Sequence, residues 1–400
     1  MIRLQEEHVD LEQYSQDKIL RSELYYSDQL KRLGFEMAGW HKLSDKKVQL
    51  NLLDRLEENR LILDGVYKRL HLAVDRKFTM SPSSEWILDN YYIVVDQITT
   101  IKLDLSMKYL QQLPQLENGT FKGIPRIYDI ILDLITHTDS KIDIENLHSI
   151  MNGYQERVDL ALAELWAIPV LLRLALIENI RRIALNISFT RMEYDKANIW
   201  IEQLKDVSAQ EPGKEILFLA DLVERGDKAL NQSFIAEISR QLKALDLGLV
   251  STWLNQYLST KGMDLEELVV KENQKQAQDR ISIANCMKSL RFIENANWND
   301  IIEEISLVED VLRSDENDVY GLMDFATRDR YRNEIEKIAK NHEIREVDIA
   351  EQLVALARNQ RARIQDSKSI TRMGHCGYYL IGDGRRELYS SLQLNRGFSL

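Results

Sequence analysis

Residues 164–182 read ELWAIPVLLRLALIENIRR, and of the 13 positions from Leu165 to Ile177 only Arg173 is not apolar. A helix apolar on all sides must be surrounded, by protein or by lipid. A membrane span needs roughly 20 mostly apolar residues. This run is shorter, and Glu164, Arg173, Glu178, Arg181 and Arg182 stud and flank it. It therefore reads as the central helix of a helical domain. Pro169 has no backbone N–H to donate, so it is expected to kink that helix or to start a new one.

Periodicity extends the helical reading in both directions. Leu52, Leu56, Leu63, Val66 and Leu70 mark one face of a helix, and KFTMSPSS (77–84) breaks it, with Ser83 or Ser84 as the next cap. Ile87, Tyr91, Val94, Ile98, Ile101 and Leu105 then step by three and four, a heptad-like stripe. Pro125 suits the first turn of a helix over GIPRIYDIILDLITH (123–137), and Asp143 can cap the one holding Leu147 and Ile150. The apolar helix is expected to reach Phe189, with Trp200, Ile201 and Leu204 in a separate one. EPGK (211–214) is the clearest break.

Helical patterns follow over 216–224, 232–245, 250–257 and 265–293, then over 319–340 and 347–363. Between them, Asn297 is expected to cap a helix with the stripe Ile301, Ile305, Val308 and Leu312. HCGYYLIGDGRREL (375–388), with three glycines, reads as a short extended piece, a turn and a helix. The expected fold is all-α: a multi-helix bundle or array of antiparallel helices with a short irregular Gly-rich C-terminal segment. The expected organisation is a charged helical extension over 1–75, a helical domain over 76–394 with a sub-boundary near 211–214, and a tail over 395–400.

Composition narrows the function classes. The chain has 400 residues, 29% of them charged, with a formal net charge of −12. That balance offers no footprint for nucleic acid, which needs clustered positive charge. Two cysteines, Cys286 and Cys376, suit a reducing compartment better than a disulfide scaffold. MIRLQEEHVDLEQ at the start has no apolar signal core, so the sequons at Asn118, Asn186 and Asn231 read as chance matches. The segment is expected to be soluble, without a transmembrane helix.

Chemistry-bearing motifs are sparse. No pair among His8, His41, His71, His137, His148, His342 and His375 has zinc-ligand spacing, and the cysteines are isolated. There is no Walker loop, no Asp-x-Asp and no Gln-x-x-Arg-Trp. No catalytic, cofactor-binding or metal-ligating residue is assigned. The densest polar constellation is MDFATRDRYR (323–332). Asp324, Arg328, Asp329, Arg330 and Arg332 read either as a salt-bridged helix face or as a docking surface for another domain. Glu303, Glu304, Glu309 and Asp310 flank the Ile301–Leu312 stripe and read as a solvated face. Trp86, Trp166 and Trp298 lie in apolar patterns and read as core rather than sugar platforms.

Several stretches together resemble the bacterial cyclic β-1,2-glucan synthases. They are EWILDNYYIVVDQI (85–98), LPQLENGTFKGIPRIYDI (113–130), THTDS (136–140), ELWAIPVLLRLALIENIRR, WNDIIEEISLVEDVLRSD (298–315), VYGLMDFATRDRYR (319–332) and HCGYYLIGDGRREL. They follow the family's order, while residues 1–75 resemble it less. The resemblance implies a non-catalytic N-terminal domain on the cytoplasmic face of the bacterial inner membrane. The parent enzyme would be a glycosyltransferase that builds cyclic glucan from UDP-glucose with a divalent metal, and carries a phosphorylase-like domain. The implied partners are the membrane-embedded glycosyltransferase domain of the same polypeptide and the nascent β-1,2-glucan, with no nucleic acid. The implied role is scaffolding. The family continues into transmembrane helices soon after this segment, so the chain is expected to be a fragment of a longer polypeptide or a stand-alone remnant. The alternative is an independent helical protein-interaction module without enzymatic activity.

Overall fold

The computed structural model describes residues 11–14, 17–44, 52–75, 80–119, 122–211, 213–225, 231–245, 247–315, 319–363 and 373–394. The expected tail over 395–400 lies outside them. Among the described residues there are seventeen α-helices and no strands, only the isolated bridges Leu43–Leu116 and Gln115–Pro125. The fold is all-α.

The first six helices are α1 (Ser27–Trp40), α2 (Leu52–Asp75), α3 (Pro82–Asp104), α4 (Met107–Leu110), α5 (Arg126–His137) and α6 (Ile144–Gln155). They gather around α7 (Leu162–Gln210), a helix of 49 residues and about 70 Å at 1.5 Å per residue. The chain then folds back through α8 (Glu215–Arg225), α9 (Gln232–Ala244), α10 (Gly248–Thr260) and α11 (Leu265–Asn295). It closes with α12 (Trp298–Ile305), α13 (Leu307–Arg313), α14 (Phe325–His342), α15 (Glu346–Arg363), α16 (Cys376–Leu380) and α17 (Arg385–Ser391).

Helix α7 runs through all three apolar cores. Its Leu165–Ile187 stretch lies in the largest, with α1–α6, the second half of α11, and α12. Ala197, Ile201 and Leu204 join α8, α9 and α10 in a second. Leu162 joins α13–α17 in a third. Burial on every side carries the helix past Pro169, which neither ends it nor starts a new one. Nor does it stop at Phe189. The polar stretch that follows lacks Pro and Gly, and its charges pair within the helix, Arg191 with Asp195 at 2.6 Å and Lys196 with Glu193 at 2.7 Å.

The polar side chains of α7 reach different neighbours. Glu164 takes two hydrogen bonds from Arg126 of α5, at 2.7 and 2.6 Å. Arg173 reaches Gln97 of α3 at 3.1 Å, and Glu178 accepts from Arg55 of α2 at 2.6 Å. Asn179 holds the backbone N–H of Leu20 at 2.8 Å, Arg181 pairs with Asp17 at 2.6 Å, and Asn186 donates to Asp279 of α11 at 2.6 Å. Apolar burial demands only that helices surround α7, whereas these contacts specify which helix lies at which level.

Helices α1 and α2 do not stand apart from this core. Leu30 and Met37 of α1 and Leu56 and Leu63 of α2 are fully buried in it. The α1–α6 contact depends on Gly34 and Gly153. A Cβ at either would collide with the backbone carbonyl of Ile150 or of Lys31, respectively.

Local signals explain most boundaries. Asp143 caps α6, accepting from the Asn146 N–H at 2.9 Å, and residues 211–214 separate α7 from α8. Ser81, not Ser83 or Ser84, caps α3, because Pro82 occupies the first helical position. The helix expected from Asn297 breaks at Ser306, whose hydroxyl accepts from the Glu309 N–H at 3.3 Å and starts α13. The segment expected to be extended after His375 is the helical turn α16, capped by the His375 ring. Trp86, Trp166 and Trp298 pack against the largest core as expected.

Two outcomes test this packing. Glu164→Ala leaves the Arg126 guanidinium buried without its carboxylate and is expected to cost about 3–5 kcal/mol in urea unfolding, with Arg126→Met/Glu164→Leu recovering most of it. Gly153→Ala is expected to cost about 1–3 kcal/mol by overpacking α1 on α6; an unchanged midpoint would refute the close-contact account.

Candidate functional site

The polar cluster of residues 323–332 opens α14. Asp324 is its N-cap, accepting from the Thr327 N–H at 2.7 Å, so it serves the helix end instead of pairing with Arg328. Asp329 is half-buried, and Asp324 and Arg330 are exposed. Arg328 and Arg332, one turn apart, face inward, and Arg332 is only 3% exposed.

They meet two carboxylates from the preceding helices. Arg328 reaches Glu303 through Nε at 3.0 Å and Nη2 at 2.9 Å. Arg332 Nη1 lies 2.7 Å from Glu303 and 3.1 Å from Glu309. Arg313 joins both carboxylates at 2.8 and 2.9 Å, and Tyr320 donates to Glu309 at 2.8 Å. The Arg332 guanidinium also lies 4.9 Å from the Phe325 ring centre and 5.8 Å from that of Trp166. Burial would raise the Glu303 carboxyl, but Arg328 and Arg332 outweigh it and hold it below its ordinary range.

Glu303 and Glu309 are thus not the solvated face that their flanking position suggested. They are buried, while Glu304 and Asp310 are exposed. Ser306 is the reason: by splitting the helix it turns both carboxylates toward α14. The two polar constellations seen in the sequence form one ion network that locks α12, α13 and α14. Of the five expected docking residues, Arg328 and Arg332 serve this lock, half-buried Asp329 pairs with Arg332 at 3.6 Å at its edge, and Asp324 and Arg330 are exposed.

Beside the lock, where the largest and third cores meet, lies a cleft of about 490 Å³. Val158, Leu160 and Ala163 line one side, and Ala339, Ile344 and Glu346 the other. Glu346 of α15 accepts from the Leu162 N–H at 2.8 Å, and Glu164 accepts from the Ala161 N–H at 2.9 Å. Two carboxylates thereby occupy the positive end of α7. Burial is the largest influence on Glu346 and, despite the Leu162 hydrogen bond, pushes its carboxyl up to about 7.

One arrangement carries the look of catalysis. His41 lies 3.1 Å from Asp129 through Nε2 and 3.1 Å from the Tyr154 hydroxyl through Nδ1. Tyr154 is 1% exposed and packed under Arg126, so the set fastens the end of α1 to α5 and α6 and has no face for a substrate. No sequence spacing announced it, since its three members come from three helical regions. Among the described residues, no three His, Cys, Asp or Glu side chains group to hold a metal ion, and no helix is long and apolar enough to cross a membrane.

No protein-family model matches the chain. Over 303 residues it is 32% identical to the cyclic β-(1,2)-glucan synthase NdvB of Rhizobium meliloti (strain 1021), an alignment covering 74% of this chain. This chain is related to the cyclic β-1,2-glucan synthases. It spans 10% of the length of NdvB. Of the stretches that carry the resemblance, 164–182 lies along α7 in the largest core, and 298–332 contains the residues of the Glu–Arg lock. THTDS places Asp139 and Ser140 in a left-handed turn, φ 47° and 61°, between α7 and α11. Ser140 accepts there from Asn179 at 2.8 Å.

Glu346 makes a pH-dependent prediction. Its folded value lies above the unfolded one of about 4.3, so the folded state holds a proton that the unfolded state releases between those values. Stability contributed by Glu346 therefore falls as pH rises through that window. Glu346→Gln is expected to gain stability relative to the parent between about pH 5 and about pH 8; parallel urea-unfolding profiles would refute it.

Proposed function

We propose that this chain is a non-catalytic helical domain of a cyclic β-1,2-glucan synthase that scaffolds the glycosyltransferase part of the same polypeptide. The observation that carries it is the 32% identity to NdvB over 303 residues. In this reading the domain is the N-terminal one and lies at the cytoplasmic face of the bacterial inner membrane. The parent enzyme takes UDP-glucose as donor with a divalent metal, and this domain supplies placement. The start of α14 is the docking surface. The buried lock holds α14 rigidly from behind, so Asp324, Asp329 and Arg330 are presented without an ordering cost on binding.

One observation favours the second reading, a stand-alone interaction module. Tyr92, Val95 and Leu103 lie along one side of α3 and are 67%, 45% and 82% exposed. Such an apolar stripe suits a protein partner.

The two separate in one co-purification. The tagged chain is expected to retain the detergent-solubilised glycosyltransferase part of the synthase. Arg330→Glu with Asp329→Lys is expected to weaken retention at least tenfold, and Tyr92→Ser with Leu103→Ser to leave it intact. The reverse pattern favours the α3 stripe, and turnover of UDP-glucose by this chain alone would sink the non-catalytic reading.

A further inference from the structure

A second groove, of about 340 Å³, runs between α7, α9 and α11, further along α7 at Arg191–Asn198. It lies at the small end of ligand pockets, which span about 300–1,000 Å³. Its floor is a chain of amides and carboxylates held by one another. Gln241 donates to Glu237 at 2.7 Å and also to the Asn198 carbonyl oxygen. Gln276 donates to Glu272 at 3.1 Å and to the Tyr194 hydroxyl. Glu272, 1% exposed, also accepts from Tyr194 at 3.1 Å and Ser233 at 2.9 Å.

This bonding fixes which way each amide faces. Gln241 and Gln276 commit their NH2 groups to the protein and keep the carbonyl Oε1 uncommitted among the described residues. Asn198 commits its carbonyl oxygen and keeps its NH2. The groove therefore offers acceptors and a donor in fixed positions. Arg191 and Arg240 are already paired with Asp195 and Glu237, at 2.6 Å each, and Glu272 adds negative charge. A phosphate meets no unpaired cation among the lining residues. Pro82, Val269 and the Tyr194 ring add apolar wall.

We infer that this groove binds a neutral polyhydroxylated chain, a short oligosaccharide whose vicinal hydroxyls both donate to and accept from Gln241, Asn198 and Gln276. Its C–H faces lie on the apolar wall. That the sugar is a β-1,2-linked glucan rests on the functional reading above. With both arginines engaged by carboxylates and Glu272 beside them, the groove suits the neutral polymer better than the nucleotide donor.

The test is calorimetric titration of the full chain with linear β-1,2-linked glucose oligosaccharides, with cellobiose, maltotriose and UDP-glucose run beside them. Saturable millimolar binding of the β-1,2 oligosaccharide, weakened at least tenfold in Asn198→Ala and in Gln241→Ala with unchanged thermal unfolding, is the expected result. Binding that both variants leave intact, or no binding of any sugar at millimolar concentration, overturns the groove assignment while the co-purification result stands on its own. Binding of cellobiose or maltotriose alone overturns the β-1,2 ligand and weighs against the synthase reading as well. Preferential binding of UDP-glucose overturns the preference for the neutral polymer.

Discussion

The burial of α7 is the constraint that the other helices satisfy. From Leu165 to Ile187 the helix presents apolar side chains in every direction, and each must meet another apolar surface. One layer of helices on one side would leave half of it in water. The chain meets the demand by packing α2, α3, α5 and α11 on it, with α1 and α6 behind them in the same core. The same axis then runs on into the second core and, at its N-terminus, touches the third. Pro169 costs one backbone hydrogen bond, too little to break a helix buried on all sides.

Hydrophobic burial is non-directional and does not set the level of each neighbour along α7. The polar groups do that. Arg126–Glu164 and Arg55–Glu178 leave a charge stranded if a helix slides by a turn, and stranding a buried charge costs several kcal/mol. The same logic operates at the third core. Two carboxylates and three guanidiniums there have few alternative pairings that satisfy them all. The lock thereby gives α14 one position, and the exposed charges at its start inherit that position.

Three polar features, the lock, the junction cleft and the amide groove, lie around α7 at different levels. The lock is closed: Glu303, Glu309 and Arg332 are buried and paired, and Arg313 covers them from the solvent side. The cleft at the N-terminus of α7 is lined by one of the two carboxylates on that helix end, Glu346, whose protonation range is raised. The groove is the one whose polar atoms face outward with bonding capacity to spare. This division separates residues that hold the fold from those that can meet a ligand.

Much of this was legible in the chain alone. The all-round apolar stretch 164–182, the stripe on α3, the Asp143 cap and the 211–214 break are local signals, set by residues within a few positions of one another. They were enough for an all-α fold with α7 at its centre. Tertiary structure alone decided the rest. A charge on a helix looks the same in sequence whether its partner is one turn away or on another helix. Arg332 therefore read as surface until Glu303, 29 residues back, was brought to 2.7 Å. Likewise, the residues after Phe189 and those around Trp200 read as two separate helices and form one, with α9 and α11 packed along it. The amide groove had no sequence signature, because Asn198, Gln241 and Gln276 come from three helices that only the packing around α7 brings side by side.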